Sequence, residues 1–396
     1  MYKKNLFIGI AVLAIAAIAT WFISCKNRQI IHDEAVVIQC LNCSKELNFS
    51  SENNNLFKKV EYIQLETTDM CLLKEIDYIE IVDTCIFVVD NKQVYKFSKN
   101  NGKFLSKIGS IGQGPGEYVA VMSLFVDKSK KEIIVLDLSQ SKMIRYDFSG
   151  NYISSNKIGI NIGLTNTAFY MENGDILFNN HISPYSKSAY SVSNVNADSV
   201  KSLLSYEKFD LKGYGFAFSN HPMTYSAEGI NCIMPFDNVI YCVKDAHIEA
   251  KYSVEYSGKP TDMSMATQEK PSPLLNRLLM AMDNHFPGFT AIFETSGKLI
   301  LNTFDNMAKP AFFYADIDSL KGKYYAYSST LDEINPIFEI SDVSENMFIA
   351  KLNASRLSEW KEQHKDMNEI KNQQLRTIIE NTDIENNPCI VIYYVQ

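Results

Sequence analysis

The sequence predicts an all-β fold: a six-bladed β-propeller of four-stranded antiparallel blades, with a helix inserted in the last blade and an N-terminal signal segment. Three observations predict it. First, Ile86-Phe87-Val88-Val89-Asp90, Val94-Tyr95-Lys96-Phe97, Asn101-Gly102-Lys103-Phe104-Leu105 and Lys107-Ile108-Gly109 recur 47 to 50 residues later. The later copies are Ile133-Ile134-Val135-Leu136-Asp137, Ile144-Arg145-Tyr146-Asp147-Phe148, Ser149-Gly150-Asn151-Tyr152-Ile153 and Lys157-Ile158-Gly159. Second, weaker echoes of the first strand bring the units to six, each opened by a turn-forming residue and rich in β-branched or aromatic side chains. They are Gly174–Phe178, Asn238–Cys242, Gly297–Leu301 and Asn346–Ala350. Third, both chain ends read as strands, so one blade can be closed from the two termini. A small sheet cannot bury both faces alone, so each unit needs neighbours on both sides.

In chain order, Lys3 and Lys4 precede an apolar run from Leu6 to Ile23, followed by Ser24-Cys25. This is the charged region, apolar region and small-residue site of a secretory signal. Ser24-Cys25 is similar to the end of a bacterial lipobox, with Cys25 lipidated and residues 1–25 removed as the signal peptide; an uncleaved signal anchor is the alternative. Both readings export the chain beyond Cys25. Residues 26–56 read as a linker with a candidate edge strand, and 57–396 as the propeller. Of the remaining cysteines, Cys71, Cys85, Cys232, Cys242 and Cys389 read as buried small hydrophobes, while Cys40–Cys43 and Cys232–Cys242 are candidate disulfides.

Lys59-Val60-Glu61-Tyr62-Ile63-Gln64-Leu65 alternates as a strand. Further on, GSIGQGPGEY (Gly109–Tyr118) carries four glycines. It fits neither phosphate loop: Pro115 stands where a Walker motif needs Lys, and Gly116 comes one place too early for a dinucleotide fingerprint. Gly109, Gly112, Gly114, Pro115, Gly116 and Glu117 therefore read as an inter-blade turn, with Glu117 accepting backbone N–H groups and the glycines supplying positive φ. A short helix is expected around Pro273–Met282 and a longer one from about Ser355 to Glu380, each covering the propeller's own surface. Ile390–Val395 is the closing strand. With 22 Tyr and 23 Phe against 2 Trp, the composition suits face-to-face sheets but argues against WD repeats.

GSIGQGPGEY, with Tyr62-Ile63-Gln64-Leu65-Glu66-Thr67-Thr68 before it and Asn387-Pro388-Cys389-Ile390-Val391-Ile392-Tyr393 near the end, resembles the six-bladed β-propeller lipoproteins of gut-dwelling Gram-negative anaerobes over about residues 35–396. The resemblance implies a fold and an envelope location, not a reaction. Lys26-Asn27-Arg28-Gln29 lacks the acidic residues that surface-exported lipoproteins of such bacteria tend to carry, so the chain is expected to face the periplasm. Asp198-Ser199-Val200 and Asp318-Ser319-Leu320 are similar to O-glycosylation sequons of those organisms, a match that chance alone supplies in a chain this long.

The net charge of −8 and the lack of a basic stripe exclude a nucleic-acid partner. No Gly-x-Ser-x-Gly elbow or His-x-x-x-His pair appears, and no residue is assigned as catalytic or as a metal ligand. The six histidines are scattered; His181 and His221, after inner strands of successive blades, are the pair to watch. Asp90 and Asp137, at the ends of equivalent strands, read as turn-fixing carboxylates. The expected function is that of an envelope-anchored, non-catalytic module. It binds a glycan, peptide or partner protein through its top face or central funnel, as a monomer held to the membrane by its lipid and without a cofactor. The alternative is a metal-dependent hydrolase or lyase with a divalent metal in the axial channel.

Overall fold

The computed structural model describes residues 39–46, 56–158, 165–180, 188–194, 200–205, 219–234, 237–255, 286–305, 309–326, 336–364, 367, 370 and 372–395. They form six four-stranded antiparallel blades, as the sequence predicts. Blade I contains Ile76–Val82, Cys85–Asp90, Gln93–Ser98 and Phe104–Ile108, from the axis outward. Blade II contains Ser123–Asp127, Glu132–Asp137, Lys142–Asp147 and Tyr152–Lys157. Blade III contains Thr165–Tyr170, Ile176–Asn180, Ser188–Ser193 and Val200–Ser205. Blade IV contains Met223–Tyr225, Ile230–Ile233, Val239–Lys244 and His247–Val254, and blade V contains Ala291–Thr295, Lys298–Phe304, Pro310–Asp316 and Lys321–Ala326.

Blade VI closes the ring. Its inner strands are Ile340–Ser344 and Met347–Leu352, its third is the C-terminal Cys389–Val395, and its outermost is Phe57–Gln64. The pairing of Phe57–Gln64 with Cys389–Val395 brings the motifs that begin at Tyr62 and Asn387 side by side. Asn387, fully buried, ties them: its side chain donates to Glu66 O and Cys71 O (2.6 and 2.7 Å) and accepts from Leu73 N (2.8 Å). Its backbone N–H donates to Thr67 Oγ1 at 2.8 Å.

The core is divided accordingly. Six apolar clusters each lie between neighbouring blades: Phe87, Val135 and Tyr146 join blades I and II, and Phe293, Phe348 and Tyr393 join V and VI. Every blade thus loses two apolar faces to water-free contact, at about 1.5–3 kcal/mol per large side chain buried.

Three details differ from the sequence reading. Asn238–Cys242 lies in the third strand of blade IV rather than the second, which is Ile230–Ile233. Asn238 mimics the turn residue that opens the second strands, and Asp245-Ala246, both at positive φ, make the tight hairpin to the outer strand. The long helix is two: α1 (Ala354–Gln363) and α2 (Gln373–Asn381). His364 takes an extended backbone and ends α1, and Asn372 restarts the helix by accepting from Leu375 N at 3.0 Å. The apolar stripe runs unbroken across both, which hid the gap; Leu357, Trp360, Leu375 and Ile379 all enter the blade V–VI cluster. The helix expected at 273–282 lies outside the described residues.

The disulfide candidates also fall. Cys232 and Cys242 are free: Cys232 pairs opposite Tyr241, so Cys242 points to the other face of the sheet. Cys40 and Cys43 lie three residues apart on a strand, Gln39–Glu46, putting their Cα atoms about 10 Å apart. A disulfide spans less than that. The same strand lies parallel to the outer strand of blade IV through Gln39–Leu41 and to that of blade V through Asn42–Glu46, clipping the two blades together.

Candidate functional site

The glycine-rich stretch occupies the crossing from blade I to blade II. Ser110–Ile111 pairs with Glu117–Tyr118, and Glu117 Oε2 accepts from Gly114 N at 2.8 Å. Gly109 has φ of 63°, and a Cβ there would lie 2.6 Å from the Tyr146 hydroxyl. A Cβ on Gly112 would lie 2.1 Å from Glu117 Oε2. Pro115 and Gly116 form the bend, and Gly116 O accepts from the Tyr146 hydroxyl at 2.9 Å. Tyr118, fully buried, anchors the loop to blade I: its hydroxyl donates to Ile108 O (2.6 Å) and accepts from Gln93 Nε2 (2.7 Å) and Val94 N (3.1 Å). All these polar groups are used within the protein.

Asp90 and Asp137 do for two blades the same job. Asp90 accepts from Lys74 N and Glu75 N, and Asp137 from Val119 N, so each holds the segment entering its blade.

A second set of polar residues faces the axis. Apart from one parallel bridge between His221 and Ala291, the inner strands do not pair with one another among the described residues, so their outward backbone N–H groups need acceptors. Side chains of the preceding blade supply them. Asp342 Oδ1 accepts from Ile79 N (3.2 Å), Ser344 Oγ from Ile81 N (3.2 Å), Ser123 Oγ from Ala168 N (3.1 Å) and Thr224 Oγ1 from Glu294 N (3.1 Å).

Between the inner strands runs an axial channel of two chambers. The upper, about 970 Å³, is lined where those strands begin and receives a residue from every blade: Asp77, Met122, Thr167, Asn220, Thr290 and Ser341. The lower, about 600 Å³, is lined where they end. Tyr78, Phe125, Phe169, His221, Tyr225 and Asp342 line both and form the waist. Tyr225 keeps 48% of its surface open to this space. Its hydroxyl donates to Tyr170 O at 3.0 Å, and Phe169 packs behind its ring with centroids 4.8 Å apart. Phe293 packs likewise against His221, at 4.6 Å.

Burial sets the charges here. It pushes the carboxyls of Glu80, Asp342 and Glu294 up to about 7, against hydrogen bonds that favour ionisation. Those bonds come to Glu80 from Ser344 Oγ (2.9 Å) and Tyr78 (3.1 Å), to Asp342 from Ser341 Oγ (2.7 Å), and to Glu294 from Asn231. Burial lowers His221 to about 4, so its ring is neutral at pH 7. Its Nδ1 lies 3.0 Å from Ile292 O, and since a carbonyl only accepts, Nδ1 carries the proton. His221 thus lies on the axis as a packed, neutral wall; His181 lies outside the described residues, as does Cys25. Among the described residues no group of three or more His, Cys, Asp or Glu is placed to hold a metal, and no helix is long and apolar enough to cross a membrane.

The sequence reading missed Tyr78, Glu80, Tyr225 and Asp342. The available signal was a carboxylate set between core-forming β-branched residues: Glu80 in Ile79-Glu80-Ile81-Val82 and Asp342 in Ile340-Ser341-Asp342-Val343.

Comparison with known proteins fits this architecture. The protein is similar to the crystal structure of a Bacteroides fragilis protein named only as exported, with a TM-score of 0.72 and 19% identity over 90% of this chain and 100% of that one. It is also similar to a member of the DUF4221 family from Bacteroides vulgatus, with a TM-score of 0.54 and 12% identity over 86% and 97%. At such identities the likeness shows the fold alone. No curated protein matches the chain. A family model described as a domain of unknown function, DUF4934, matches residues 35–394, and the chain belongs to that family.

Proposed function

We propose that this protein is a non-catalytic binding module of the cell envelope whose axial channel receives a glycan, a peptide or a segment of a partner protein. The observation that carries this is the channel itself: two chambers with an aromatic waist, lined from all six blades by hydroxyl, amide and carboxyl groups. Concave sites with a few convergent polar groups on a packed wall are where ligands bind. The glycine-rich turn, by contrast, consumes its polar groups internally.

Export rests on the residues before Cys25 and on the similarity to a protein named as exported. In this reading residues 1–25 are the signal peptide, Cys25 carries the lipid, residues 26–56 lead from the membrane to a propeller over 57–396, and the monomer faces the periplasm without a cofactor. Thermal unfolding of the full chain in detergent, against panels of glycans, peptides and divalent metals and with EDTA, tests it. Any molecule that binds only the folded state at a hundredfold excess over its Kd adds about 2.7 kcal/mol. A glycan or peptide class is expected to raise Tm, and Tyr225→Ala to abolish the rise. A large fall in EDTA reversed by one metal would replace this reading with the metal-dependent enzyme.

A further inference from the structure

The lower chamber has a chemistry that narrows the ligand, provided the channel is the binding site of the proposed module. Among the described residues two lysines line it, and both are spoken for: Lys128 pairs with Glu345 at 3.0 Å and Lys251 with Glu228 at 3.1 Å. Glu80, Glu294 and Asp342 line the same chamber with no ion-pair partner among the described residues. Their bonds come from neutral hydroxyl, amide and backbone groups, so each carboxylate, once it ionises above about pH 7, is oriented by its neighbours without being paired to a cation. Thr295, 6% exposed and in the wall of this chamber, has a hydroxyl oxygen with no hydrogen-bond partner. It is an acceptor left over inside the protein, where such groups are normally paired.

The wall beside these acceptors is aromatic. Tyr78 and Glu80 come from blade I, and Tyr225 comes from blade IV, directly across the six-membered ring. A half-exposed tyrosine ring facing carboxylates suits a soft organic cation, which gains from both the ring face and the ionic partner. Hard metal ions want several oxygen ligands converging on one point, and among the described residues no three acidic, His or Cys side chains converge in that way.

We propose that the lower chamber binds a primary ammonium or guanidinium group, carried either by a basic side chain of a peptide or by a free amine. The cation lies against Tyr225 and is held by Glu80 and Asp342.

The test is calorimetric titration of the full chain in detergent at pH 8, using acetyl-lysine methylamide, its neutral isostere acetyl-norleucine methylamide, and butylammonium. The lysine derivative is expected to bind at least about tenfold more tightly than the norleucine one, a difference of about 1.4 kcal/mol. Glu80→Gln and Asp342→Asn, which keep the hydrogen-bonding shape, are expected to erase that preference, and Glu61→Gln on the outer strand of blade VI to leave it intact. Butylammonium matching the lysine derivative identifies a free amine as the source, and weaker binding identifies a peptide; both support the site. Equal binding of lysine and norleucine derivatives, or a preference that survives both channel variants, overturns it. Should glycans or neutral peptides bind in the channel without any cationic preference, the cation site fails while the binding module stands. If nothing binds, both fail.

Discussion

At the scale of single residues, buried polar groups decide how this protein responds to pH. Asp342 is 3% exposed, and burial raises its carboxyl to about 7. Between the unfolded value near 4 and the folded value near 7, the folded state holds a proton that the unfolded state has released, so stability falls as pH rises through that window. Glu80 and Glu294 act in the same direction. His221, lowered to about 4, acts in the opposite one: below about 6.5 the unfolded ring takes a proton first, so its contribution falls as pH drops. Three carboxyls outweigh one imidazole, and urea unfolding is expected to give a more stable protein at pH 5.5 than at pH 8. Asp342→Asn, which can still accept from Ile79 N, is expected to gain about 1–3 kcal/mol at pH 8 and little at pH 5.5, flattening the profile. Tyr118→Phe tests the inter-blade turn. It strips partners from Ile108 O, Gln93 Nε2 and Val94 N in a fully buried site, and a loss of about 2–3 kcal/mol in urea titration is expected.

At the scale of elements, the closing blade and the two helices carry the tests. Asn387→Ala takes the side-chain partner from Cys71 O and Leu73 N and leaves Glu66 O with only the weak Cys71 thiol donor, and is expected to cost about 3 kcal/mol or more by denaturant titration. Asn372→Ala removes only the cap of α2, for about 1 kcal/mol. These elements also show what the sequence could reveal. Second strands such as Cys85–Asp90 and Glu132–Asp137 were legible because they are buried on both faces and read as apolar runs between turn residues. Inner strands were not: Ile76–Val82 and Ile340–Ser344 alternate core residues with Glu80, Asp342 and Ser344, whose acceptors serve a neighbouring blade more than 260 residues away in the chain. The Gln39–Glu46 strand, legible only as a candidate edge, pairs with two strands more than 200 residues distant. The break between α1 and α2 was hidden because both helices present one continuous apolar stripe to the same cluster.

At the scale of the whole molecule, closure makes the channel. Deleting residues 389–396 removes the strand that joins Met347–Leu352 to Phe57–Gln64 and is expected to abolish cooperative thermal unfolding, since the clusters on both sides of blade VI lose their shared wall. The ring was legible from its repeat, but the site was not. Tyr78 and Glu80 meet Tyr225 and Asp342 only once six inner strands converge, and no local spacing encodes that meeting. The most direct test of the channel as the binding site is a crystal structure of the protein with whichever ligand raises Tm most in the thermal panel. The ligand is expected between the two chambers, in contact with Tyr225 and within hydrogen-bonding distance of Glu80 or Asp342. A ligand seated on the outer strands or on the glycine-rich turn, with the channel free of it, would contradict this account.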